Sequence, residues 1–123
     1  MKVLDPSLSS LWSPISGGIT SPRGFKASGI RSNLKPSGNL DLALLLAPND
    51  SICAGTFTQS SIRAACVDLC KKRLHQNNGR VRAVLINSGQ ANACVGDRGL
   101  IDTLKAIEAV ATKLSLTPSE ALM

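Results

Sequence analysis

Aromatic side chains are nearly missing from this sequence: Trp12, Phe25 and Phe57 are the full set, and there is no tyrosine. Proteins that grip single-stranded nucleic acid stack bases on such rings, so that mode has almost nothing to work with here. The net charge of +6 does invite a phosphate-binding reading. The basic residues, however, are spread from Lys2 to Lys113, and Lys71-Lys72-Arg73 is their one short cluster. A nucleic-acid partner is therefore not expected.

Long apolar runs are absent too. The longest, Leu42 to Ala47, is strand-sized and far short of the roughly 20 residues a membrane helix needs. No apolar signal-peptide core stands near the N-terminus, so the expected location is the cytoplasm. Residues 1–40 are rich in Ser and poor in acid, in the manner of a transit peptide. Histidine occurs once, as His75, and the four cysteines (Cys53, Cys66, Cys70 and Cys94) form no Cys-x-x-Cys pair. The spacings of a structural zinc site are missing, and no metal is expected. Cys66 and Cys70, four apart, read as small buried residues on one helical face.

Familiar catalytic patterns are lacking as well. Gly24 to Gly29 has the outer spacing of a phosphate-binding loop, but Ile30-Arg31 follows where Lys-Ser/Thr is required. Gly89 has no second and third glycine to make a dinucleotide fingerprint. There is no Gly-x-Ser-x-Gly elbow. The acidic residues show no pairing suited to acid/base work, and Asp97 reads as a helix cap.

What remains is a chain of 123 residues that alternates strand and helix signals, which implies α/β or α+β architecture. Residues 1–38 are full of turn formers and predict short strands and loops. Asp41 to Ala47 predicts a buried strand, and Ile52 to Thr58 a second strand in a hairpin with it. Ala64 to Gln76 predicts a helix with Val67, Cys70 and Leu74 inward, Asp68 paired with Lys72, His75 on the surface, and a stop at Asn77-Asn78-Gly79. Val81 to Ile86 predicts a strand entering the core. A helix from about Asp97 to Ser115 follows, with Leu100, Leu104, Ile107, Ala111 and Leu114 as its apolar stripe. Thr117-Pro118-Ser119-Glu120 is a capping box that announces a further helix, which suggests a chain cut short.

One segment stands out chemically. The Val81–Ile86 strand runs into Asn87-Ser88-Gly89-Gln90-Ala91-Asn92-Ala93, a row of small and polar residues. Their amides and backbone N–H groups can orient a ligand, as strand ends in α/β proteins commonly do. The same residues are also ordinary turn formers. Asn87, Ser88, Gly89 and Asn92 are the candidates for substrate contact or for a place beside an active site.

Several segments, in order, resemble the bifunctional ornithine acetyltransferase / N-acetylglutamate synthase family of arginine biosynthesis. They are Gly17-Gly18-Ile19-Thr20, Gly24-Phe25-Lys26-Ala27-Ser28-Gly29-Ile30, Asp41-Leu42-Ala43-Leu44, Ala54-Gly55-Thr56-Phe57-Thr58, and Asn87 through Cys94 followed by Gly96. Gln90 and Val95 depart from the pattern, which commonly has Asn and Thr there. The resemblance makes the Gly/Pro-rich start part of the mature protein. It implies that residues 1–123 are one segment from the N-terminal part of an α chain, with 1–16 a poorly ordered lead-in. It also implies part of an αββα four-layer sandwich.

The implied activity moves an acetyl group from N-acetylornithine to glutamate through an acetyl-threonine. The implied partner is a C-terminal β chain in an α2β2 heterotetramer, released by self-cleavage. No cofactor is implied, although acetyl-CoA can serve some members as a co-substrate. The family's nucleophile lies downstream of the matched segments, so no catalytic residue is assigned and the chain alone is expected to be inactive. The rival expectation is a free-standing small-ligand binding module without chemistry.

Overall fold

The computed structural model describes residues 13–123, so most of the expected lead-in at 1–16 falls outside the described residues. Four strands form one sheet in the order β1-β2-β3-β4: β1 is Lys26–Ile30, β2 Leu42–Leu46, β3 Ala83–Asn87 and β4 Ala121–Leu122. The first three run antiparallel and β4 lies parallel to β3, so the architecture is mixed α/β. Among the described residues two α-helices accompany the sheet, α1 at Ala65–Gln76 and α2 at Gly96–Leu114.

Register explains which leucines go inside. Leu46 faces Ala83 and Leu44 faces Leu85 across the β2–β3 pair, which puts all four on one side of the pleat. That side meets Leu69 of α1 and Val110 and Leu114 of α2, around a fully buried trio of Ala83, Ile107 and Ala121. The opposite side is far more open, with Ile86 52% exposed. Helices on one face of one sheet correspond to two of the layers expected of an αββα sandwich.

The capping box at Thr117 forms as predicted: the Glu120 carboxylate accepts the Thr117 N–H at 2.8 Å. The helix it announced does not follow. Pro118–Glu120 makes one 3-10 turn, and the chain then extends into β4, where Arg82 N–H donates to Glu120 O at 2.8 Å. Three side chains of α1 and its C-terminal cap hold this segment from the other edge. Asn77 donates to Ser119 O at 2.5 Å, Arg73 to Ala121 O at 2.6 Å, and the Cys70 thiol to Met123 O at 3.1 Å. The Ala121 and Met123 carbonyls, alternate groups of an extended chain, point the same way, and Ser119 O leaves the 3-10 turn toward the same helix face.

Other expectations need correction. Ile52–Thr58 is not a strand: among the described residues its ladder-like bonding is limited to Cys53 N–H to Gly79 O, because β1 already occupies the free edge of β2. Asp68 pairs not with Lys72 but with Arg63, at 2.7 Å. Asp97 sits in the first turn of α2 rather than capping it, with Val95 at the cap position and no side-chain cap bond. Leu100 and Leu104 are 40% and 39% exposed, and the buried line of α2 is Thr103, Ile107 and Ala111. Thr103 tolerates burial because its hydroxyl donates back to Gly99 O at 2.7 Å. Within the Lys71-Lys72-Arg73 cluster Arg73 is buried, whereas Lys71, Lys72 and the nearby His75 are exposed.

Candidate active-site groove

At the end of β3 the chain leaves the sheet and must reach the start of α2 within a short loop. Gly89, at φ +95°, makes the turn. Asn87 and Asn92 then face one another and exchange hydrogen bonds: Asn92 donates to the Asn87 side-chain oxygen at 2.9 Å, and Asn87 donates back at 3.4 Å. An amide has two N–H donors and two acceptor sites, so each side chain fixes its partner and keeps one N–H and one lone pair for something else.

That pair opens on a groove of about 570 Å³ between the end of the sheet and α2. Leu42 and Leu85 lie on the sheet side, Thr103, Ala106 and Val110 are on the helix side with Arg98 and Asp102, and Ser32, Leu34 and Met123 are also among the lining residues. An apolar hollow with a few convergent polar groups suits a small ligand. Arg98 and Asp102 sit 3.5 Å apart but are largely solvated, so their ion pair adds little to stability.

Of the four candidates from the sequence, Asn87 and Asn92 line the groove. Ser88 and Gly89 do not; they anchor the loop. Ser88 N–H donates to Asp41 O at 2.9 Å, and Gly89 fits so tightly that a Cβ there would lie 3.1 Å from Leu34 O and 2.5 Å from Lys35 Cγ.

Asp41 was missed as a site-related residue. Its carboxylate is saturated: one oxygen accepts Ser32 N–H at 2.6 Å and the Ser32 hydroxyl at 2.8 Å, the other Leu34 N–H at 2.7 Å and Lys35 N–H at 3.0 Å. These bonds, Ser32 N–H foremost and Lys35 N–H next, lower its pKa from 3.8 to about 2. An acidic residue just before an apolar strand was the available signal, but its partners become visible only when the 32–35 loop folds back. Elsewhere, burial pushes the Cys70 thiol pKa up. Among the described residues, no three His, Cys, Asp or Glu side chains cluster so as to hold a metal ion. No helix among them is long and apolar enough to cross a membrane.

The backbone matches solved acetyltransferases. The ornithine acetyltransferase of Mycobacterium tuberculosis, solved in complex with ornithine, superposes with a TM-score of 0.80 at 42% identity, over 85% of this chain and 56% of that one. The arginine biosynthesis bifunctional protein ArgJ of Bacillus halodurans gives 0.80 at 28% identity, over 86% of this chain and 55% of its own. The fold is thus that of the ornithine acetyltransferase class. The ArgJ family pattern matches residues 26–123, and the chain belongs to the ArgJ family.

Among relatives, the ArgJ protein of Parasynechococcus marenigrum is 62% identical over 117 residues, covering 95% of this chain. That of Prochlorococcus marinus strain MIT 9313 is 55% identical over 122 residues, covering 99%. The chain spans 28% and 29% of the lengths of these two relatives.

Proposed function

We propose that this chain supplies one wall of the substrate site of an acetyltransferase that moves the acetyl group of N-acetylornithine to glutamate. The observation that carries the reading is the mutually braced Asn87–Asn92 amide pair, facing an apolar groove within a chain of the ArgJ family. The spare N–H and lone pair on each amide suit an acetamido group, which offers one carbonyl oxygen and one N–H.

In this reading the nucleophile is a threonine on a partner β chain, with its own α-amine as base. Its hydroxyl oxygen bonds to the acetyl carbonyl, the C–N bond to ornithine breaks, and the amine leaves with the hydroxyl proton. The glutamate amine then attacks the acetyl ester, and the threonine hydroxyl is regenerated. Hydrogen-bond donors near the acetyl oxygen stabilise the charge that develops on it. β4, parallel to β3, brings Met123 to the same groove that Asn87 lines. An α2β2 assembly and acetyl-CoA as a second donor belong to the same proposal and rest on the family resemblance.

The test is reconstitution of the chain with a β chain and an assay of acetyl transfer. Asn87→Ala and Asn92→Ala should each lower kcat/KM about 100-fold, the size of effect seen when a reacting group is misplaced by an ångström. Wild-type rates in both variants would remove the amides from the site. Turnover by the folded chain alone would place the nucleophile within residues 1–123 and overturn the assignment to a partner.

A further inference from the structure

We propose that Asp41 is a positioning residue for this groove: it holds the 32–35 segment, which seats Gly89 and so sets the direction of the Asn87–Asn92 amides. The inference rests on the reading of the groove given above and extends it to a residue that does not itself line the groove. Three observations converge on it.

Asp41 is only 3% exposed, yet none of its polar atoms is idle. Its carboxylate takes four donors from Ser32, Leu34 and Lys35, its N–H donates to Ile30 O at 3.1 Å, and its carbonyl receives Ser88 N–H at 2.9 Å. One residue therefore ties the end of β1, the connecting loop and the residue after β3 to a single point.

The gripped loop is also structural material of the groove. Ser32 and Leu34 line it, and Leu34 O and the Lys35 stem press against Gly89 where no Cβ would fit. Gly89 lies between the two asparagines in sequence, so a shift of the 32–35 segment passes directly into the amide pair. A carboxylate bound by three backbone N–H groups and a hydroxyl is strongly held, because charge-assisted hydrogen bonds are about twice as strong as neutral ones. Its pKa of about 2 keeps it ionised throughout the neutral range.

The role has a kinetic signature that a purely structural role lacks. In the enzyme reconstituted with its β chain, Asp41→Asn keeps the shape but turns an NH2 toward two of the four donors. The KM for N-acetylornithine should rise about tenfold with kcat within about twofold, since the loosened amides hold the substrate more weakly while the nucleophile is untouched. Ser32→Ala removes one donor of four and should raise KM about threefold by the same logic.

A double-mutant cycle separates the two roles. If Asp41 acts through the amides, Asp41→Asn added to Asn87→Ala should change KM by less than about twofold beyond Asn87→Ala alone. Multiplying effects, or an unchanged KM in Asp41→Asn, would overturn the proposal. Should Asp41→Asn fail to fold, the cycle of Ser32→Ala with Asn87→Ala answers the same question. The two levels separate cleanly. If Asn87→Ala is silent, the reading of the groove falls and this proposal with it. If Asn87→Ala is costly and Asp41→Asn silent, only the positioning role falls.

Discussion

The guanidinium of Arg73 reaches the carbonyl oxygen of Ala121 at 2.6 Å, a buried hydrogen bond that joins α1 to the last strand of the sheet. It crosses 48 residues of sequence and is the middle rung of the three that hold residues 119–123. Burial lowers the pKa of Arg73 from its ordinary value, which marks the side chain as withdrawn from solvent.

Replacing Arg73 with Met keeps much of the stem packing and removes the charged donor. The chain should lose about 2 kcal/mol of stability in urea unfolding, the usual scale for a hydrogen bond to a charged group. Lys72→Met, one residue earlier and exposed, should stay within about 0.5 kcal/mol of the parent.

Acid should cost stability through Asp41 and Glu120. Both carboxyls have pKa values below their ordinary range, Asp41 through the N–H groups of Ser32 and Lys35, Glu120 through the N–H and then the hydroxyl of Thr117. A depressed folded-state pKa contributes stability that is present above the unfolded value and lost as pH falls through the folded one. For Asp41 that window runs from about pH 4 down to about pH 2. Thermal unfolding followed across it should show the gap between the parent and Asp41→Asn closing as the pH drops; a constant gap would contradict the assignment.

Ile107 is the largest fully buried side chain among the described residues, packed against Ala83 and Ala121. Ile107→Ala should cost about 3 kcal/mol in chemical denaturation, transfer and cavity effects combined. Leu104→Ala, on the exposed flank of the same helix, should cost less than about 1 kcal/mol. Equal losses would mean that the stripe read from the sequence, not the observed one, faces the core.

Gly89→Ala asks a Cβ to occupy space held by Leu34 O and Lys35 at a positive φ. Strain of about 1–3 kcal/mol is expected, with NMR shift changes concentrated in residues 32–35 and 87–92. Gly18→Ala, which has no atom within 4 Å and no positive φ, should leave both stability and spectrum unchanged.

Much of this molecule was legible because its signals are local. The helix spacing around Val67, Cys70 and Leu74, the stop at Asn77-Asn78-Gly79 and the Thr117 capping box each depend on residues within a turn or two. Pairing between distant segments was not. Ile52–Thr58 has the composition of a strand, but whether it joins a sheet depends on which edge is vacant, and β1 has filled the edge of β2. The stripe of α2 was read with the right period and a partly wrong face: Thr103 is buried because its hydroxyl has an acceptor within the helix, while Leu100 and Leu104 remain open. The amides of Asn87 and Asn92 were visible as small polar residues at a strand end. The brace behind them was not, since Asp41 meets Ser88 and the 32–35 loop only in three dimensions.

The placement of β4 has a consequence for how the chain is made. Synthesis delivers β3, then all of α2, and only then the two residues that cover Ala83 and accept the Arg73 donor. A nascent chain halted before Ala121 would present Ile107 without one of its two buried neighbours, and an inward-facing guanidinium without its acceptor. Incomplete packing of that kind makes an intermediate prone to aggregate. The shortest strand of the sheet is thus the one that supplies both a buried neighbour of Ile107 and the acceptor for Arg73.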